Sequence, residues 1–152
     1  MDINITLRKH SMENLHSLVY ISIETKPFSE HELHDLLNKA RAKNTALNIT
    51  GMLLYNQGKF IQTLEGDKTV IKDLYNIIKQ DKRHKLTIKV YESGMKTRSF
   101  SDWSMGFKKL DDPNAEVLGF SDIFTNPKSL ENLKRNPSPI IDLLLKFKNK
   151  SI

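Results

Sequence analysis

The hydrophobic and polar positions of this chain change period several times, and each change marks an element. Leu15 to Ser22 is an apolar run with alternation, which predicts a β-strand. Ser29 then opens a helix through a capping box with Glu32. Leu33, Leu36, Leu37 and Ala40 follow at helical spacing. Ile49 to Tyr55 is apolar on both faces, the pattern of a central strand. Asn56-Gln57-Gly58-Lys59 reads as a turn, so this strand and the next, Phe60 to Gly66, form a hairpin. Asp67 caps a second helix whose Val70, Ile71, Leu74, Ile77 and Ile78 share one face. Asp81 to Lys85 is a polar loop, Leu86 to Glu92 another strand, and Ser104 to Leu110 a fifth.

The order β-α-β-β-α-β-β predicts an α+β fold, a ferredoxin-like sandwich with a five-stranded mixed sheet and two helices on one face. In that topology the first and third strands are central neighbours, which makes a hydrogen bond between Tyr20 and Gln62 geometrically accessible. A boundary falls at Asp111-Asp112-Pro113-Asn114. Beyond it Val117 to Phe124 and Ile140 to Phe147 read as two short amphipathic helices, the second started by Asn136-Pro137-Ser138-Pro139. Residues 111–152 are too few for a core of their own and are expected to pack on the sheet face left open by the first two helices. The expected organisation is an N-terminal extension over 1–14, a domain over 15–110 and a C-terminal helical extension over 111–152. Met12 is an alternative start to Met1.

One position breaks the apolar pattern. Side chains alternate along a strand, so Phe60, Gln62 and Leu64 point the same way. Two of these are large and apolar, which makes that face the core face and Gln62 a buried amide. An unpaired buried amide costs about 1–3 kcal/mol. A polar group, from the protein or from a ligand, therefore has to meet Gln62 inside the domain.

Composition narrows the classes. The 152 residues suffice for one domain with a sizeable core. No cysteine is present, which excludes disulfides, thiolate metal sites, cysteine nucleophiles and photochemistry through a cysteine adduct. No window of about 20 apolar residues offers a transmembrane helix. Met1 to Met12 lacks the apolar core of a secretory signal, so a cytoplasmic protein is expected. The net charge of +6 comes mostly from lysine spread from Lys26 to Lys150 among acidic residues. Without a basic helix face, that spread argues against nucleic acid as a partner.

Taken singly, the remaining candidates have ordinary explanations. His31 and His34 lie on the polar side of the first helix without a third metal ligand. No Ser/His/Asp signature or phosphate-binding glycine loop occurs. Asn44 reads as a helix C-cap, Arg83 and His84 as a solvated loop pair, and Trp103 and Met105 as neighbours on one strand face.

Together, however, these residues carry a resemblance. Leu18-Val19-Tyr20-Ile21-Ser22, Asn48-Ile49-Thr50-Gly51-Met52-Leu53-Leu54-Tyr55, Phe60-Ile61-Gln62-Thr63-Leu64-Glu65-Gly66, Gln80-Asp81-Lys82-Arg83-His84 and Trp103-Ser104-Met105 follow in order with family-like spacing. From about Leu15 to Leu110 the sequence resembles the BLUF family of flavin-based blue-light sensors. The resemblance implies a flavin, usually FAD with FMN or riboflavin as alternatives, held between the two helices against the sheet. It implies cofactor contacts from Lys43, Asn44, Gln62, Arg83 and His84, and a photoactive network of Tyr20, Gln62, Trp103 and Met105. Light would drive an electron and a proton from Tyr20, Gln62 would rotate or tautomerise, and the absorption would shift red and revert in darkness. Trp103 and Met105 would pass the change to residues 111–152. No catalytic residues and no metal are implied. The expected output is protein–protein contact, through a homo-oligomer or a separate downstream partner, rather than an enzymatic domain. The competing readings are a non-photoactive α+β regulatory module binding another ligand, and a small acyl-phosphate hydrolase. The hydrolase would want an arginine after the first strand, and Ser22 to Pro27 has none.

Overall fold

A computed structural model describes residues 14–101, 104–109 and 139–148 of the chain. Five strands and three helices lie among the described residues: β1 (Leu15–Glu24), α1 (Glu30–Ala46), β2 (Thr50–Asn56), β3 (Lys59–Asp67), α2 (Lys68–Lys79), β4 (His84–Gly94), β5 (Gly106–Lys109) and α3 (Pro139–Lys148). The sheet order is β4-β1-β3-β2-β5, antiparallel throughout except for the parallel β2–β5 pair. This is the ferredoxin-like α+β arrangement that the element order predicts, with β1 and β3 side by side.

Local chemistry sets the element boundaries. Ser29 accepts from the Glu32 amide while the Glu32 carboxylate accepts from the Ser29 amide, a complete capping box. Asp67 accepts from the amides of Thr69 and Val70 at the start of α2. The β2–β3 hairpin turns on Gln57 and Gly58, both at positive φ (51° and 81°), the backbone that a tight primed turn requires. Several boundaries differ from the sequence reading, and the following bear on the site. The first strand runs two residues further, to Glu24. The polar loop after α2 ends earlier, because His84 already pairs with Glu24. The fifth strand begins at Gly106, so Ser104 and Met105 precede it. Helix α1 continues to Ala46 and its C-cap is Leu47, so Asn44 is inside the helix and is not its cap.

Both faces of the sheet are covered. On one face Leu18, Tyr20, Leu53, Phe60 and Leu64 pack with Leu33 and Leu37 of α1 and Ile71 and Leu74 of α2. On the other, Val19, Met52, Leu54 and Ile61 pack with Phe100 and with Ile140, Leu144 and Phe147 of α3. The second of the two C-terminal helices thus lies on the sheet face opposite α1 and α2. The region read as the first, Val117 to Phe124, is outside the described residues, as is Trp103.

Two expected core positions on each main helix are not fully buried. Leu36 and Ala40 of α1 and Ile78 of α2 are half-buried, and Ile77 is 58% exposed. These side chains face a space between the helices.

The closest backbone approach in the sheet is at Gly51. A Cβ there would lie 1.9 Å from the Thr63 carbonyl oxygen, which belongs to the paired strand and cannot swing away. Gly51→Ala should therefore pry β2 from β3 and cost about 3 kcal/mol or more. Thermal unfolding of the variant beside the parent checks this; an unchanged melting temperature would contradict it.

Candidate functional site

The space between α1, α2 and the sheet is a cavity of about 560 Å³, within the usual range for a cofactor pocket. Phe28, Leu36, Ala40, Leu53, Leu74 and Ile78 supply apolar walls. Tyr20, Asn44, Gln62, Asp81, Arg83 and His84 add polar groups to the lining. Lys39 and Lys43 of α1 add positive charge.

Tyr20 and Gln62 are direct cross-strand partners in the β1–β3 register. Both side chains point to the helix-covered face and are almost fully buried. The Tyr20 hydroxyl donates to Gln62 Oε1. Gln62 Nε2 donates to Met105 Sδ at 3.4 Å. The buried amide that the sequence leaves in need of partners is thus met by protein at both ends. Its Nε2 carries a second hydrogen, and Gln62 lines the cavity, so one donor remains for an occupant. Burial pushes the Tyr20 phenol well above its ordinary pKa, with the Tyr75 and Asp81 charges adding to the effect. Tyr20 is therefore a neutral donor at any physiological pH. The Tyr75 ring lies 5.4 Å away and the His84 ring 6.3 Å.

Asn44 is buried and donates Nδ2 to the Ser104 carbonyl at 2.8 Å. One turn earlier on the same helix face, Arg41 donates Nε to the Met105 carbonyl at 2.9 Å. Helix α1 thereby holds two consecutive carbonyls of the segment that brings Met105 to Gln62. Arg41 was not legible as a site residue; its spacing of three from Asn44 is the one signal that marks it. Half-burial lowers its pKa through desolvation, without removing its charge.

Arg83 is exposed, as a solvated loop residue would be, whereas His84 is half-buried at the start of β4. Arg83 forms a bidentate bridge to Asp81 through Nε and Nη2 and holds that carboxyl below the usual range. His84 donates Nε2–H to the Ile78 carbonyl at 2.6 Å, which leaves Nδ1 to accept from the Ser22 hydroxyl at 2.8 Å. His84 thus ties β4, β1 and the end of α2 together at the cavity. Lys43, Asn44, Gln62, Arg83 and His84 all line it; Met105 reaches it only through Gln62. His31 and His34 contribute nothing here, and no metal-binding cluster occurs among the described residues. Among the same residues no helix is long and apolar enough to cross a membrane.

A planar, largely apolar ligand with a hydrogen-bonding edge fits this lining: it would cover Leu36 and Ile77 and meet the free Gln62 donor. Comparison with known proteins agrees. The family model for sensors of blue light using FAD matches residues 15–106. Photoactivated adenylate cyclase subunit beta of Euglena longa is 39% identical over 92 residues, covering 60% of this chain and 11% of its own. The chain thus spans about a tenth of that relative's length. The dark-state structure of BlrB, a BLUF protein, superposes with a TM-score of 0.64 at 29% identity, covering 82% of this chain and 96% of that one. Klebsiella pneumoniae BlrP1 with FMN and cyclic diGMP gives 0.71 at 28% identity, covering 90% of this chain and 35% of BlrP1. With the matched region spanning β1 to the start of β5, the chain belongs to the BLUF family, flavin-binding sensors of blue light.

Proposed function

We propose that Tyr20 and Gln62 are the photoactive pair of this sensor and that the cavity between α1, α2 and the sheet holds its flavin. The observation that carries the reading is the hydrogen-bonded chain Tyr20–Gln62–Met105, whose first two members line a largely apolar cavity. Bound there, the flavin supplies blue-light absorption and an excited state that accepts an electron.

The chain's own residues do the rest. Tyr20 is the electron donor; burial keeps it a neutral phenol at rest, and removal of an electron makes that phenol strongly acidic, so the proton follows the electron. Gln62 is the group through which that proton passes, since its Oε1 accepts the Tyr20 hydroxyl. Taking up this proton at Oε1 and giving one up again frees the amide to turn or to tautomerise. Asn44 orients the ring edge, while Lys43, Arg83 and His84 border the ligand. A phosphate-bearing flavin, FAD or FMN, is preferred over riboflavin, because the cationic Lys39, Lys43 and Arg83 line the cavity. The signal leaves through Met105 and the segment before β5 by protein–protein contact, in a homo-oligomer or with a separate partner. Trp103 belongs to the proposed network by its place in the sequence alone. No catalytic turnover is assigned to the described unit.

The direct test is the light-minus-dark absorption spectrum of the purified yellow protein. Gln62→Leu should retain flavin and lose the red shift, because leucine fills a similar volume but cannot hydrogen-bond. A parental shift in this variant would sink the proposed switch.

Tyr20→Phe separates packing from chemistry. The ring stays against Tyr75, the phenol is gone, and the photocycle should be lost or rerouted while the yellow colour persists. Parental cycling would remove Tyr20 as the donor.

Asn44→Ala frees the Ser104 carbonyl and takes an amide from the cavity edge. The dissociation constant for FAD should rise about tenfold, the loss of one hydrogen bond to a buried edge. Fluorescence titration measures it; unchanged affinity would restrict Asn44 to holding Ser104.

A further inference from the structure

Glu65 is a fully buried carboxylate for which the photoactive pair has no use. Strand alternation puts it on the sheet face turned away from Gln62 and the cavity. It accepts from the Ser99 amide at 2.7 Å, the Phe100 amide at 2.9 Å and the Thr50 hydroxyl at 3.0 Å. Taking a carboxylate out of water is expensive, and burial raises its pKa despite these bonds. The face is mixed: Val19, Met52 and Ile61 are apolar, while Ser17, the β1 partner of Glu65, and Thr63 are buried polar residues. An apolar side chain would occupy the volume equally well, so what Glu65 adds is directional hold on two backbone amides.

Arg98 reinforces the hold. Its Nη1 donates to the Thr50 hydroxyl at 2.9 Å and the Glu65 carbonyl at 3.0 Å, and its Nη2 donates to the Asn48 carbonyl at 2.8 Å. Residues 98–100 are thereby fixed to the start of β2 and the end of β3. A few residues on, Asn44 and Arg41 hold the Ser104 and Met105 carbonyls. Residues 98–100 are thus tied to β2 and β3 through Glu65 and Arg98, and residues 104 and 105 to α1 through Asn44 and Arg41.

We propose that Glu65 is a positioning residue for the photoswitch: by anchoring residues 98–100 it holds Met105 against Gln62 and sets the barrier to their rearrangement. The inference rests on the Tyr20–Gln62 reading of the site. Glu65→Gln tests it, because the amide replaces one acceptor oxygen with a donor and leaves a Ser99 or Phe100 amide unmet. Arg98→Ala removes the other arm at a less buried position and carries the test if the glutamine variant fails to fold. In the flavin-free protein, amide exchange at residues 104–107 should rise about fivefold, with β2 and β3 changing less. Loaded with FAD, either variant should keep its dark spectrum and recover from the lit state about fivefold faster. Exchange that rises equally across the sheet, or recovery at the parental rate, would overturn the anchor and leave Glu65 a stability residue. A parental protein with no light-induced shift would overturn the Tyr20–Gln62 reading and the anchor with it, so the two failures are read from different samples.

Discussion

An amide in an apolar interior has to use both of its ends, and at Gln62 the two ends meet groups of unlike ability. Tyr20 can donate or accept. The Met105 thioether can only accept, and weakly. The arrangement with Oε1 toward Tyr20 and Nε2 toward Met105 satisfies all three groups. Turning the amide over would set its oxygen against a sulfur that has no proton to give. The resting orientation is therefore selected by the protein, and leaving it needs an input. In the proposed function, that asymmetry is what would make a switch of a residue that could otherwise be a satisfied core polar group.

The rest of the fold serves this contact. The β1–β3 register sets Tyr20 directly across from Gln62, and a slip of one residue would turn one of them to the other face. Gly51, paired with Leu64, lets β2 close on the Thr63 carbonyl of β3. Helix α1 holds the Ser104 and Met105 carbonyls from one side, and Glu65 with Arg98 ties down the residues before them from the other. The helices bury Leu33, Leu37, Ile71 and Leu74 in the core but leave Leu36, Ala40 and Ile77 toward the cavity. Apolar surface left out of the core beside a cluster of partnered polar groups is what a planar ligand requires.

Much of this was legible in the sequence, for identifiable reasons. Periodicity and caps depend on neighbours in the chain, so Ser29, Glu32, Asp67 and the Gln57-Gly58 turn gave the elements. Element order then placed β1 beside β3 and made the Tyr20–Gln62 contact accessible before any coordinates. Contacts between distant segments were less visible. Asn44 fits a helix cap by its local sequence, because its actual partner, the Ser104 carbonyl, lies 60 positions away. Arg41 bonds a carbonyl 64 positions away and breaks no local pattern. Glu65 resembles an ordinary strand-end acid until Ser99 and Phe100 fold back onto it. Ile77 fits the helical apolar face, and nothing local says that this part of the face belongs to a cavity.

The central claim is that light changes the hydrogen bonding of the Gln62 side chain. An infrared light-minus-dark difference spectrum of the flavin-loaded protein, with the glutamine side-chain carbonyls isotopically labelled, addresses it most directly. A label-sensitive pair of carbonyl bands that appears on illumination and decays with the visible red shift is the predicted result. A full red shift with no label-sensitive band would contradict the account.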